Sequence, residues 1–385
     1  MFLRPPPRAA LRYVAEDSAT GYGDAADRLV RAVRGLGTEV EWRGWSDTAQ
    51  GAAPALVPFS RDEHPRQRVG RAAITVAHLV PEHYPAVRGV VGDGPFVAHT
   101  VWETDRLPAQ WPQLLNDTDA VIVPSEWNRE VFAESGVTAP IAVVPHVVCD
   151  PVPGDRGARL ALPDDVTVFY TIGRWDERKA VHLTVRAFLE AFRGSDPVVL
   201  VVKTGPATEM PPDPGFGADH PLAYTTGWQL AALIRNHPDP PRIRLEPQSW
   251  STAEIAGLHH RGDVFVALAR GEGWGMGAFD ACAYGNPVVM TGWGGQLTYL
   301  DPAATALVES RLVPIVHHVP SSYSPDQHWA EPDVAHAVEL MRSVAGDLPA
   351  ARRRAESQQA RVLREFAPAR VAEGFLAALG LRGGA

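Results

Sequence analysis

From residue 264 to residue 290 the chain reads as an apolar strand, a glycine-rich turn, a helix and a second apolar strand, which is the order of a parallel strand-helix-strand unit. The turn and helix lie within GEGWGMGAFDACAYGNPVVMTGWGG, residues 271–295. Glu272 falls in the loop after the strand predicted for 264–268. Gly273, Gly275 and Gly277 keep side chains off the turn, so the first amides of the helix can face a phosphate and its dipole can favour that charge. Asp280, eight residues after Glu272, falls about one turn inside the helix. One carboxylate can then accept hydrogen bonds from sugar hydroxyls and the other from a ribose diol, with a diphosphate between them. The pattern suits an activated sugar.

The same alternation runs through the whole chain and places it in the α/β class, with parallel sheets in two doubly wound units. In the first half, strands are expected at 11–15, 74–80, 96–102, 120–123 and 141–144. A loop is expected at 17–23, before a helix that carries Ala26, Leu29, Val30 and Val33 at helical spacing. The stretch CDPVPGDRGARLALPDD, 149–165, breaks all periodicity and reads as a linker. After it, strands are expected at 166–172 and 198–202, with a helix between them whose apolar face is Val181, Val185, Phe188 and Phe192. The expected domains are therefore 1–150, 166–365 and a closing helix at 366–385 that packs back on the first. Ligands of such sheets bind beyond the carboxyl ends of the strands.

Composition narrows the function. A net charge of -9 argues against a nucleic-acid partner, which calls for a basic face. Cys149 and Cys282 have no CxxC spacing, so neither a disulfide framework nor a cysteine zinc site is expected, and both read as small buried residues. No metal-ligand cluster is visible. No run approaches the roughly 18 to 20 apolar residues needed to cross a bilayer. The start, MFLRPPPRAA, has prolines where a signal peptide needs an apolar helix, so a cytoplasmic location is expected.

Of 36 Lys and Arg residues only two are lysines, Lys179 and Lys203. Lys179 lies in GRWDERKA, residues 173–180, between a strand end and a helix start, with Arg174 at the other side of the turn. A forked guanidinium and a compact ammonium at that place can hold a diphosphate and stabilise it as it leaves. Lys179 and Glu272 are both expected at a solvent-facing cleft rather than in a core.

Taken together, these residues resemble the retaining nucleotide-sugar glycosyltransferases of the GT-B fold, in particular glycosyltransferase family 4. The resemblance rests on GRWDERKA, on EGWGMGAFD, on ACAYGNPVVM with the GG after it, and more loosely on VIVPSEWNREVFAESGV in the first half. The chain departs from the family pattern at Asp280, where the family has glutamate, and at PHVV, 145–148, where a glycine is usual. The resemblance implies two Rossmann-like domains facing across a cleft. It implies that Glu272 binds the donor sugar, Asp280 the ribose, and Arg174 with Lys179 the diphosphate, with the amides of Gly275, Met276 and Gly277 completing the cradle. It also implies His99 as the active-site histidine beside the donor sugar. Gly21 and Gly23 would form the loop facing the diphosphate and acceptor, and Trp250 would lie near the nucleobase. The implied reaction moves a hexosyl group with retention from a nucleotide-diphosphate sugar, a UDP- or GDP-sugar first, to a small-molecule or glycan acceptor through a hydroxyl or amine. No cofactor is implied.

Plainer readings compete at several positions. The pairs His259-His260 and His317-His318 read as helix-surface and loop residues. Arg61, Arg66, Arg68 and Arg71 form a basic run that suits a peripheral contact with an anionic membrane or an acceptor, against a solvated loop. Trp102, Trp111, Trp127, Trp274 and Trp293 lie near the proposed segments, where stacking on sugar faces competes with core packing. The alternatives to transfer are a catalytically weak sugar-nucleotide-binding partner protein and another GT-B enzyme, such as a phosphorylase or a sugar-nucleotide epimerase.

Overall fold

The computed structural model describes residues 11–17, 20–46, 55–63, 74–151, 160–316 and 322–381. The chain divides into two compact units, with the first boundary between Cys149 and Asp150. Unit 1 takes in Met1–Cys149, Ser322–Gln327 and Leu363–Ala385; unit 2 takes in Asp150–Ser321 and His328–Val362.

In unit 1 the described strands are β1 (Leu11–Glu16), β2 (Val40–Ser46), β3 (Ala55–Pro58), β4 (Ile74–His78), β5 (Phe96–His99), β6 (Ala120–Val123) and β7 (Ile141–Val143). They form one sheet in the order β3-β2-β1-β4-β5-β6-β7. Only β3 runs antiparallel to its neighbour. The helices of this part are α1 (Gly21–Gly35), α2 (Tyr84–Val91), α3 (Trp111–Asn116) and α4 (Glu126–Glu134). Strands β2 and β3 were not expected from the sequence. The apolar residues of β2 are interrupted by Glu41, Arg43 and Gly44, where Glu41 pairs with both Arg12 and Arg43, and β3 is only four residues long. Helix α1 starts five residues before its first regular apolar position because Thr20 caps it, accepting a hydrogen bond from the Gly23 amide. Gly21 and Gly23 therefore belong to the first turn of a helix and not to a loop.

In unit 2 the strands β8 (Thr167–Ile172), β9 (Val198–Lys203), β10 (Arg242–Glu246), β11 (Val264–Ala267), β12 (Val288–Thr291) and β13 (Ala306–Val308) make a parallel sheet in the order β10-β9-β8-β11-β12-β13. A separate antiparallel pair joins β14 (Ser310–Pro314) and β15 (His328–Pro332). The helices α5 (Val181–Ala191), α6 (Thr226–Ile234), α7 (Thr252–Arg261), α8 (Met276–Ala283), α9 (Val334–Gly346) and α10 (Leu348–Glu365) follow in order. The central strands are buried on both faces, which is why 198–202 is an unbroken apolar run. Phe169, Phe188 and Phe192 pack with Leu200 and Val266 at the core. Helix α7 begins with a capping box between Ser251 and Glu254, worth roughly 1 kcal/mol.

The last helix, α11 (Pro368–Ala378), starts on a proline, whose fixed φ and missing N–H suit a first turn. It lies in unit 1, where its Phe375 packs edge-on against Tyr13. His259, expected on a helix surface, is instead buried: its Nδ1 lies 2.9 Å from the Tyr170 hydroxyl, and its ring stacks on Tyr284. Cys282 is buried and Cys149 only partly so. His317, His318, Arg66, Arg68 and Arg71 lie outside the described residues. Among the described residues, no helix is long and apolar enough to cross a membrane. No group of three or more His, Cys, Asp or Glu residues is placed among them to hold a metal ion.

Candidate functional site

In unit 2 the strand order reverses between β8 and β11, its neighbour on the other side from β9. Crevices at such a switch point lie beyond the carboxyl ends of the two strands, between the loops that leave them. Here those loops are 173–180 after β8 and 268–275 after β11. A pocket at this place is lined by Gly173, Lys179, Glu272, Gly275, Gly277 and Ala278, among others.

Backbone contacts fix the two loops against each other. The Arg270 amide donates to the Arg178 carbonyl at 2.7 Å, and the Arg178 guanidinium donates to the Gly271 carbonyl at 2.8 Å. Arg270 in turn donates to the Glu177 carbonyl and pairs with Glu331. Lys179 Nζ then lies 2.6 Å from Glu272 Oε1, and Arg178 Nη1 lies 3.9 Å from the other carboxylate oxygen. Two cations thus stand at one buried carboxylate. Glu272 is only 7% exposed and lines the pocket, its loop held in place by the contacts of Arg178 and Arg270. A carboxylate so buried needs a partner, and Lys179 provides it.

The glycines of 271–295 have separate physical reasons. Gly275 caps α8 with φ 85°, a left-handed conformation that a side chain disfavours. Its carbonyl accepts from the Tyr299 hydroxyl at 2.9 Å. A Cβ on Gly295 would lie 1.8 Å from the Gly273 carbonyl oxygen, so the GG pair is a close backbone approach. Through it the Gly295 amide donates to the Glu272 carbonyl at 2.9 Å. The second glycine pair therefore braces the loop that carries Glu272. Gly277 leaves room for Phe265, whose ring would sit 3.1 Å from an added Cβ.

Asp280 lies in the middle of α8 and is buried. The Tyr299 hydroxyl titrates well above its usual range, chiefly through burial, with Cys282, Glu272 and Asp280 adding to the effect. Both carboxylates of the motif thus act on the same tyrosine. Arg174 is mostly exposed and pairs with Asp176 at 3.0 Å. Arg174, Met276, Asp280 and Trp250 are not part of the pocket lining, whereas Lys179, Glu272, Gly275 and Gly277 are. Trp250 sits just before the Ser251 cap of α7, with Lys203 Nζ 5.7 Å from its ring centre, a cation–π contact.

In unit 1 the strand order reverses between β1 and β4. His99 ends β5 and pairs in register with His78 at the end of β4. The two imidazoles stack at 3.9 Å with an angle of 6° between their planes. Both are 1% exposed, and His99 Nε2 is buried without a hydrogen-bond partner among the described residues. Burial first, then the neighbouring histidines, hold both rings well below the usual histidine range, so they are neutral. Of the tryptophans near the motifs, Trp102, Trp111 and Trp274 are core residues. Sequence reading missed Arg178, Tyr13 and His78. Arg178 was hidden because one arginine among many carries no signal, and the other two because their role depends on strand register.

D-Inositol 3-phosphate glycosyltransferase of Kineococcus radiotolerans is 29% identical over 246 residues, 60% of this chain and 52% of the relative. Its namesake from Stackebrandtia nassauensis is 31% identical over 214 residues, 51% and 44% of the two chains. The chain spans about half the length of the curated relatives it matches. Sucrose-phosphate synthase from Thermosynechococcus elongatus superposes with a TM-score of 0.68 at 15% identity, covering 97% of this chain and 98% of the other. Anabaena HepE in complex with UDP-glucose gives a TM-score of 0.67 at 14% identity, covering 96% and 99%. The fold is accordingly of the GT-B type, with two Rossmann-like units. A family model described as family 4 glycosyltransferase in conflict systems matches residues 123–375, more than half of the chain, and the chain belongs to that family.

Proposed function

We propose that this chain transfers a hexosyl group from a nucleotide-diphosphate sugar to an acceptor hydroxyl or amine, with retention of anomeric configuration. The observation that carries the reading is the Lys179–Glu272 pair in a pocket at the β8/β11 switch point, beside the glycine-capped start of α8. An ammonium has three protons to donate, so Lys179 can keep Glu272 and still donate to a phosphate oxygen. The helix start supplies amides without intrahelical acceptors and the positive end of its dipole. Arg174, exposed on the same loop as Lys179, is free to swing onto the diphosphate once it leaves Asp176.

In this mechanism the bond from the anomeric carbon to the leaving phosphate oxygen breaks as the acceptor oxygen bonds to that carbon from the same face. The acceptor proton passes to the departing phosphate oxygen, so no separate carboxylate base is needed. The protein's own share is to neutralise the growing negative charge with Lys179, Arg174 and the α8 amides, and to hold the sugar through Glu272. Asp280 would take the ribose diol. In the proposal this neutralisation needs no cofactor. UDP- and GDP-sugars are the first donors to test, since HepE was captured with UDP-glucose. The name of the curated relatives makes D-inositol 3-phosphate the first acceptor to try.

Thermal-shift screening against UDP- and GDP-sugars tests donor binding, because a ligand of the native state raises Tm by mass action. A raised Tm followed by slow release of nucleoside diphosphate supports transfer. Tight binding with no release favours a binding partner instead, and phosphate-dependent turnover or an epimerised product favours the other GT-B chemistries. A transferred sugar whose anomeric proton shows inversion in NMR would refute the retaining course.

A further inference from the structure

Strand β1 lies next to β4, and β4 next to β5. Ala15 of β1 pairs in register with His78, and His78 with His99. Tyr13, two residues before Ala15, projects on the same face of the sheet. Its hydroxyl lies 2.8 Å from His78 Nδ1 and 3.0 Å from His99 Nδ1. Tyr13 is fully buried, and Phe375 of α11 packs against both Tyr13 and His99.

A phenol has one proton, and burial keeps it on Tyr13 by raising the hydroxyl well above its usual range. Two neutral imidazoles that both present Nδ1 to that oxygen cannot both accept from it. One must accept the phenolic proton, and the other must donate its own Nδ1–H to the oxygen. His99 Nε2 is buried with no hydrogen-bond partner among the described residues, so a proton there would be an unsatisfied donor. The arrangement that avoids it puts the His99 proton on Nδ1, donating to Tyr13, and leaves His78 Nδ1 to accept from Tyr13.

We propose that Tyr13 is a positioning residue whose single hydroxyl holds His78 and His99 in opposite tautomers, leaving His99 Nε2 as an unprotonated acceptor. That nitrogen is buried and has no hydrogen-bond partner among the described residues. A lone pair at this place takes a neutral hydroxyl donor and disfavours an anionic oxygen. The opposite tautomer would do the reverse. Tyr13 thus decides what His99 can recognise without touching the ligand itself. The link to turnover rests on the place beside a donor sugar that the family resemblance implies for His99, and on the proposed transfer; the tautomer assignment rests on neither.

The test is two-bond 1H–15N correlation spectroscopy on the full chain labelled with 15N-histidine at neutral pH, with His78→Gln and His99→Gln used to assign the signals. The expected result is Nε2–H for His78 and Nδ1–H for His99. In Tyr13→Phe, the Nδ1–H pattern of His99 should be lost. The same tautomer in both rings, Nε2–H on His99, or an unchanged pattern in Tyr13→Phe would overturn the proposal. Should Tyr13→Phe lose its native circular dichroism, the unsubstituted protein's pattern decides alone. In the donor-release assay Tyr13→Phe should lower kcat with donor KM unchanged, which loss of packing alone would not do. Absence of any turnover in the unsubstituted protein would count against the transferase reading and leave the NMR result standing.

Discussion

Lys179 Nζ and Glu272 Oε1 lie 2.6 Å apart although 93 residues separate them in the chain. Each sits on a loop leaving a different strand, β8 and β11, and those strands are neighbours only because the sheet reverses its order there. The salt bridge therefore reports the topology directly. Removing either charge should disable the proposed chemistry, but the two changes differ in their cost to the fold. Lys179→Ala leaves the buried carboxylate with only the longer 3.9 Å contact to Arg178 and should cost about 1–3 kcal/mol. Glu272→Gln keeps the side-chain volume and leaves Lys179 with access to solvent, so its cost should be smaller. Both should lower nucleoside diphosphate release by about 100-fold or more. Near-normal release in either variant would reject the assigned roles.

Gly295→Ala should be more disruptive than Gly275→Ala. The first places a Cβ 1.8 Å from the Gly273 carbonyl oxygen, which only a backbone shift can relieve. The second forces a side chain into φ 85° and against Met290 and Tyr299 at 3.2 Å, a strain of about 1–3 kcal/mol. Urea unfolding of the two variants checks the order. A smaller loss for Gly295→Ala would show that the GG pair does not brace the Glu272 loop.

Arg174 offers the converse case. Its side chain is 75% exposed and its ion pair with Asp176 is a surface pair, so Arg174→Ala should change stability by no more than about 0.5–1 kcal/mol. Affinity for a nucleoside diphosphate should nevertheless fall, and fall less at high salt, where such contacts are screened. Calorimetric titration at two ionic strengths measures this. Unchanged affinity at low salt would remove Arg174 from the diphosphate site.

Acid should destabilise the chain above the range where carboxylates titrate. Burial lowers His146 and His182 to about 3, and Arg28 adds to the effect on His146, as Arg270 does on His182. The folded state therefore keeps these rings neutral while the unfolded chain protonates them near pH 6.5. Between those values the unfolded chain binds more protons, so stability falls as pH falls. From pH 7 to pH 5 each such histidine costs about 2 kcal/mol. The rings of His78 and His99, 6.2 and 6.4 Å from His146, add in the same direction. Chemical denaturation at pH 7 and pH 5 should show the loss, and His146→Gln should flatten the slope. A slope unaffected by that substitution would mean the ring reaches solvent when protonated.

Much of the fold was legible because buried parallel strands leave unbroken apolar runs such as 198–202, and helices on them leave a 3.6-residue stripe such as Val181, Val185 and Phe188. Strand β2 escaped because Glu41, Arg43 and Gly44 interrupt the period and the Arg12 partner of Glu41 is found only across strands, and β3 because it is only four residues long. The start of α1 was read late for a similar reason: its first turn holds glycines and a tyrosine rather than core residues, and the cap on Thr20 marks the start. At the site, EGWGMGAFD was legible because its glycine spacing and carboxylates are local. Arg178 was not, since its carbonyl and guanidinium matter only through residues 270 and 271.

The amino-acid sequence by itself determined the α/β alternation of most strands and helices, β2 and β3 excepted, and the glycine-rich turn between β11 and α8, because periodicity, turn chemistry and motif spacing act within a few residues. Tertiary structure alone decided that Lys179 and Glu272 are ion-paired, that Gly295 braces the Glu272 loop, and that Tyr13 stands between His78 and His99. Those relationships arise from strand order and register, which long-range packing sets and no local pattern encodes.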